Sequence, residues 1–326
     1  NMSIIKWGII GCGDVTEVKS GPGFSKAPGS ALVAVMRRDA SKAEDYARRH
    51  GVPKWYTDAD ALINDPEVDA VYIATPPLFH EEYTLAALKA GKPVYVEKPM
   101  TMNSSSAIRM EEASTQFQTK LTVAHYRRGL PLFIKIKELI DTKVIGDVRF
   151  ASLQMLQPHQ SELITKTEDN WRVNPELSGG GLFHDLAPHQ IDLMLYFFGN
   201  VRKTEGISGN QGAYYPADDI VTGQLLFENG VIFKGIWCFT VPKEETKDLV
   251  EIIGSEGKIS FSVFGQYYSV SKAGKEERYE VKAPQHIQQP MIELVVDYFS
   301  GKGDNPCPAQ EGIEVMRIMD SFCQRE

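Results

Sequence analysis

At 326 residues, with 42% hydrophobic and 24% charged side chains, the chain has the composition of a globular protein with room for two domains and a sizeable core. A formal net charge of −8, with no run of basic residues, argues against nucleic acid as a partner. No apolar run approaches the ~20 residues that cross a bilayer, no basic and apolar leader is read at the start, and Cys12, Cys238, Cys307 and Cys323 are scattered without a CxxC pair. A cytoplasmic protein with reduced thiols and no membrane association is expected.

Residues 4–10 form a short apolar run ending in Gly11-Cys12-Gly13-Asp14-Val15-Thr16, where a strand turns into a helix. This is most of a dinucleotide fingerprint. The first glycine allows a tight turn, the second lets the backbone approach a pyrophosphate, and the helix start offers unpaired N–H groups and a positive dipole end. The third position is Thr16 instead of Gly or Ala. In an NAD enzyme an acid about 20 residues further on holds the ribose 2′-hydroxyl. After the strand at 32–36 this chain has Arg37-Arg38, and Asp39 comes too late. Guanidinium groups bind a 2′-phosphate in a bidentate way, so NADP is expected in preference to NAD, with NAD possible. Two merely solvated arginines are the alternative.

Ser41 and Glu44 have capping-box spacing for a helix to His50, stopped by Gly51. A buried strand at 70–74 then runs into Thr75-Pro76-Pro77-Leu78-Phe79-His80, and a helix at 81–90 is stopped by Gly91. Next come Val94-Tyr95-Val96 and, at once, Glu97-Lys98-Pro99. Pro99 removes a backbone donor and ends strand pairing. Charges at the carboxyl end of such a strand belong to the crevice where open α/β sheets bind ligands, unless they are simply solvated. A helix at 104–117 and a strand at 121–124 complete a parallel Rossmann domain over residues 1–124.

From 125 to 326 the pattern changes. A helix at 131–140 and a strand at 148–156 precede strand-like runs at 201–208, 220–227, 231–240, 249–253, 258–263 and 266–270, with Glu228-Asn229-Gly230 as a hairpin signal. This predicts an α+β domain with a large open, mostly antiparallel sheet, whose uncovered face suits a homodimer or homotetramer. Within it, Gly179-Gly180-Gly181 opens a helix reaching Phe198, on which Asp185 and His189 lie four apart and share a face. A carboxylate there can orient an imidazole and raise its pKa. Pro188 either kinks this helix or marks its true start. His184 and His189 are five apart and the HExxH spacing is absent, so no metal is expected.

Together, Gly11-x-Gly13, Ala74-Thr75-Pro76, Glu97-Lys98-Pro99 and Gly179-Gly180-Gly181 through Asp185-x-x-x-His189 resemble the Gfo/Idh/MocA family, which includes glucose-fructose oxidoreductase and inositol dehydrogenase. The resemblance implies hydride transfer between a nicotinamide and a carbohydrate-like hydroxyl. It assigns Lys98 to the reacting hydroxyl, Asp185 and His189 to the second-domain pair, and Trp171-Arg172 to the dinucleotide. The other expected cofactor contacts are Gly11, Cys12, Gly13, Asp14, Val15, Arg37, Arg38, Thr75, Pro76, His80, Glu97 and Lys98 itself; Tyr126 and Arg127 join Lys98, Asp185 and His189 as expected substrate contacts. His125 stands where many relatives have asparagine, and Ala187-Pro188 replaces a more usual glycine-containing stretch, which leaves the sugar, polyol or cyclic diol open. Removing hydride from a carbinol requires a base near neutral pKa and a cation for the developing alkoxide. His189 is expected to exchange the proton, Asp185 to orient it and Lys98 to polarise the oxygen. The resemblance also admits a nicotinamide-dependent glycoside hydrolase or a non-catalytic dinucleotide sensor.

Overall fold

The computed structural model describes residues 3–164 and 170–324. Two compact units divide the chain. In the first, β1 (Ile5–Ile10), β2 (Ser30–Met36), β3 (Lys54–Tyr56), β4 (Ala70–Ile73), β5 (Val94–Val96) and β6 (Leu121–Val123) form a parallel sheet in the order β3-β2-β1-β4-β5-β6. Every residue of β4 and β5 is buried, as continuous apolar runs must be when both faces of a parallel sheet are covered. The helices between them are α1 (Asp14–Val18), α2 (Gly21–Lys26), α3 (Ala40–His50), α4 (Ala59–Ile63), α5 (His80–Lys89) and α6 (Ser104–Gln116). An aromatic cluster of Trp7, Phe24, Tyr72 and Tyr95 fills one side, with neighbouring ring centroids 4.8–6.4 Å apart. Strand order reverses between β1 and β4, the switch point at which such sheets bind ligands.

Two local details differ from expectation. The N-cap of α3 is Asp39, not Ser41: its carboxylate accepts from Lys42 N at 3.2 Å and from the Ser41 hydroxyl at 2.7 Å. The helix therefore starts earlier, because an extended Asp leaving the strand satisfies its first-turn donors. The helix after the glycine loop is also broken, ending at Val18 and restarting at Gly21. A Cβ on Gly21 would lie 2.0 Å from the Thr16 carbonyl oxygen, so only glycine permits this close passage.

The second unit holds β7 (Val148–Leu156), β8 (Val201–Gly209), β9 (Ile220–Phe227), β10 (Ile232–Cys238), β11 (Lys247–Gly254), β12 (Lys258–Phe261), β13 (Tyr267–Lys272) and β14 (Lys275–Glu280) in the order β14-β13-β12-β11-β7-β10-β9-β8. Pairing is antiparallel except between β7 and β10. The helices are α7 (Pro131–Asp141), the short α8 (Pro175–Ser178) and α9 (Leu182–Phe198). Phe133 of α7 and Phe197 of α9 both meet Phe261, and Phe183 meets Trp237, so these helices cover one sheet face. On the other face Phe150, Ile207 and Ile232 stand exposed.

The last stretch departs from the expected division. The first unit comprises Asn1–Gly129 and Pro284–Met316, and the second Leu130–Ala283 and Arg317–Glu326, so the break falls after 129, not 124, and 284–316 does not belong with the second domain. The reason is apolar: α10 (Gln289–Phe299) buries Met291, Ile292 and Val295, and Phe299 lies 5.5 Å from the Trp7 ring. At the start of α11 (Ala309–Phe322), Glu311 pairs with Arg128 at 3.1 Å. Among the described residues no helix is long and apolar enough to cross a membrane.

Candidate active site

The loops leaving β1, β2, β4 and β5 meet at one sheet edge and are tied in sequence. Gly11 N donates to Met36 O, Ala74 N to Ile10 O and Glu97 N to Ile73 O, each at 2.9 Å. Gly11 sits at φ +90, and a Cβ there would lie 2.9 Å from Thr75 N, so the first glycine lets the β1 and β4 loops touch. Thr16, in the third fingerprint position, is buried and donates its hydroxyl to Gly13 O at 2.6 Å. It braces the turn that another glycine would have left loose. Cys12 is buried, which pushes its thiol up to about 11 despite the charge of Arg37; it stays protonated and acts as core. Asp14 and Val15 open α1, and a Cβ on Gly13 would meet nothing within 4 Å.

At the end of β2, Arg37 Nη1 donates to Cys12 O at 3.5 Å, and the Arg38 guanidinium lies over the Phe79 ring. No ion pair to either arginine forms among the described residues, and Asp39 is occupied as the α3 cap. Open space over a glycine turn at this sheet edge fits the diphosphate of a dinucleotide.

His80 and Glu97, both expected at the cofactor, are buried. The buried His80 ring places Nε2 2.8 Å from Thr75 O, and Nδ1 3.0 Å from Pro99 O and 3.2 Å from Met100 O. It joins the β4 loop to the β5 loop, and burial lowers its pKa. Thr75 Oγ1 lies 3.2 Å from Pro76 O on the same loop. The Glu97 carboxylate accepts from the Tyr72 hydroxyl at 2.5 Å and from Gln288 Nε2 at 3.5 Å, while Tyr72 Oη also lies 3.2 Å from Ser20 Oγ. Burial raises the Glu97 pKa against the lowering influence of Lys98 and Tyr72. Lys98 follows in the bend beyond β5, half-buried and joined by a cis bond to Pro99. Tyr72 and Gln288 were not expected here. Tyr126 and Arg127 lie buried in the 3-10 turn after β6, with the guanidinium 4.9 Å from the tyrosine ring centre.

In the second unit α9 runs unbroken through Pro188, so Asp185 and His189 do share one continuous helix. Nearly all of α9 is buried; Asp185 and Tyr196 are the half-buried exceptions. His189 is 6% exposed and meets the Phe264 ring edge-on at 5.5 Å. Phe264 is held in turn by its N–H, which donates to Asp248 at 2.8 Å. Asp185 Oδ1 lies 3.3 Å from Arg172 Nε, a buried guanidinium that also stacks over Trp171 at 4.3 Å. Arg172, expected at the dinucleotide, is thus engaged with the carboxylate. Nothing in its spacing from Asp185 signals this pair. Among the described residues no group of three His, Cys, Asp or Glu could hold a metal ion.

Residues 5–125 match the family described as "Oxidoreductase family, NAD-binding Rossmann fold", and residues 133–260 match the "GFO/IDH/MocA C-terminal domain". Oxidoreductase P35 of Formosa agariphila is 51% identical over 321 residues, covering 98% of this chain and 99% of its own. The 1,5-anhydro-D-fructose reductase of Ensifer adhaerens is 30% identical over 264 residues, 78% of this chain and 74% of its own. The crystal structure of aldose-aldose oxidoreductase from Caulobacter crescentus, complexed with glycerol, has the same fold, with a TM-score of 0.86 at 21% identity over 98% of this chain and 96% of that one. With a nucleotide-binding sheet edge built as described and both halves matched, the chain belongs to the Gfo/Idh/MocA oxidoreductase family.

Proposed function

We propose that the chain is an NADP-preferring oxidoreductase that moves a hydride between the nicotinamide and a secondary hydroxyl or carbonyl of a sugar, polyol or related cyclic diol. The observation that carries this reading is Lys98, a half-buried cation at the carboxyl edge of the sheet, beside a Glu97 engaged below it. A reductase of anhydrofructose among the relatives supports the carbohydrate class. When bound, the cofactor supplies or accepts the hydride. The chain's own part is acid–base and electrostatic: Lys98 steadies the oxygen as it gains charge, His189 exchanges the proton, and Asp185 orients the imidazole while Arg172 steadies Asp185. In the reducing direction the same groups act in reverse. The NADP preference is supported by Arg37 and Arg38 lacking an acid partner among the described residues while Asp39 is turned to the α3 cap. The exposed Phe150, Ile207 and Ile232 support assembly of a homodimer or homotetramer through the open sheet face, which light scattering can test.

The deciding experiment offers a panel of sugars, inositols, anhydro-sugars and dihydrodiols with NADP and with NAD, read by absorbance of the reduced cofactor. Turnover of at least one carbohydrate-like member is expected. A silent panel in both directions would remove the reading.

A further inference from the structure

Arg38 is exposed but not unsupported. Its guanidinium carbon lies 4.5 Å from the centre of the Phe79 ring, and Phe79 in turn stacks on Tyr83 of α5 with centroids 6.4 Å apart. The place of Phe79 is set from within the fold. Its N–H donates to Pro76 O at 3.1 Å, and the next residue is the buried His80, whose ring nitrogens lie 2.8–3.2 Å from the carbonyl oxygens of Thr75, Pro99 and Met100. Arg37 and Arg38 are adjacent like charges with no ion pair among the described residues, in a chain whose formal charge is −8. Two neighbouring guanidiniums of this kind attract an anion and can grip it in a bidentate way.

We propose that Phe79 is a specificity-determining residue for the cofactor, acting as the platform that holds the Arg38 guanidinium ready for the 2′-phosphate of NADP. This rests on the NADP reading above. All the guanidinium N–H donors lie in its plane, so giving one face to an aromatic ring leaves the donor edge available for a bidentate grip on phosphate. The ring attracts the cation by its negative face. Restraining a long side chain before the ligand arrives lowers the freedom lost when the phosphate is held. Cofactor choice then depends on the loop after β4 as well as on the arginines after β2.

The test titrates NADP and NAD against the wild type and against Arg38→Ala, Phe79→Ala, Phe79→Leu and Phe79→Tyr, reading the ratio of the two dissociation constants. Phe79→Ala and Phe79→Leu should each lower the preference for NADP by roughly three- to tenfold. Leucine keeps the apolar bulk and loses the ring, so agreement of the two isolates the ring. Phe79→Tyr should retain the preference, and Phe79→Ala should change nothing further in an Arg38→Ala background. A wild type that prefers NADP, an Arg38→Ala that loses this, and a Phe79→Ala that keeps it would overturn the inference and leave the NADP reading standing. Equal weakening of both cofactors in Phe79→Ala would overturn it too, as a merely structural role. A wild type that binds NAD as tightly as NADP would remove the reading and the inference together.

Discussion

The two glycines of the β1 loop should fail in different ways when each is given one methyl group. In Gly11→Ala the new Cβ would lie 2.9 Å from Thr75 N and 3.0 Å from Ala74 C, at a backbone φ of +90. The unfavourable backbone conformation costs about 1–2 kcal/mol and the contact with main chain about as much again, so a loss of roughly 2–4 kcal/mol in folding stability is expected. In Gly13→Ala the Cβ would enter open space at an ordinary φ of −101, so stability should move by no more than about 0.5 kcal/mol. If the pyrophosphate lies against this glycine, the methyl group displaces it and removes one or two charge-assisted hydrogen bonds of about 1.5 kcal/mol each, or roughly ten- to a hundredfold in affinity. Urea unfolding and cofactor titration of both variants read the two effects separately. A Gly13→Ala protein that folds normally and binds NADP as tightly as the wild type would refute this placement of the cofactor.

Lys98→Ala should lower kcat/KM by ~100-fold or more while NADP affinity stays nearly intact; steady-state kinetics showing full activity would end its catalytic role. Arg172→Met should destabilise by roughly 1–3 kcal/mol through the Asp185 carboxylate it deserts, and adding Asp185→Asn should restore part of that in a double-mutant cycle. His80, whose pKa burial lowers from the ordinary ~6.5, is neutral in the folded state when the unfolded chain already takes a proton. Its effect on stability is therefore absent above pH ~6.5 and becomes a loss as pH falls below it. Glu97, with a raised pKa, pulls the other way, losing stability as pH rises, so the comparison must be with His80→Gln. Urea midpoints at pH 7.5 and 5.5 should fall less in that variant, and an equal fall would show that His80 does not carry the acid sensitivity.

The parallel sheet was legible because β1, β2, β4 and β5 are apolar on both faces and each ends in turn chemistry at the same edge. β3 escaped because none of its three residues, Lys54–Tyr56, is buried and they make no apolar run, and β14 because Lys275–Glu280 is exposed throughout and has no apolar face to betray it. Lys98 could be singled out from Pro99 beside it. Tyr72 looked like any core tyrosine in a strand. Gln288 reaches Glu97 from 191 positions away, a proximity no local pattern encodes. The helix of Asp185 and His189 was readable from its glycines, whereas its tolerance of Pro188 was not. Burial on nearly all sides holds that helix where local propensity alone would have broken it.

The interrupted make-up of the first unit bears on how the protein comes into being. The nucleotide-holding half is finished only when Gln288 has reached Glu97, α10 has covered its apolar neighbours and Glu311 has met Arg128. A nascent chain that has just left the ribosome with its first sheet still lacks these pieces, and Leu130–Ala283 must be synthesised in between. Completion of the first unit is therefore a late event in synthesis, against the usual order in which the amino-terminal domain matures first.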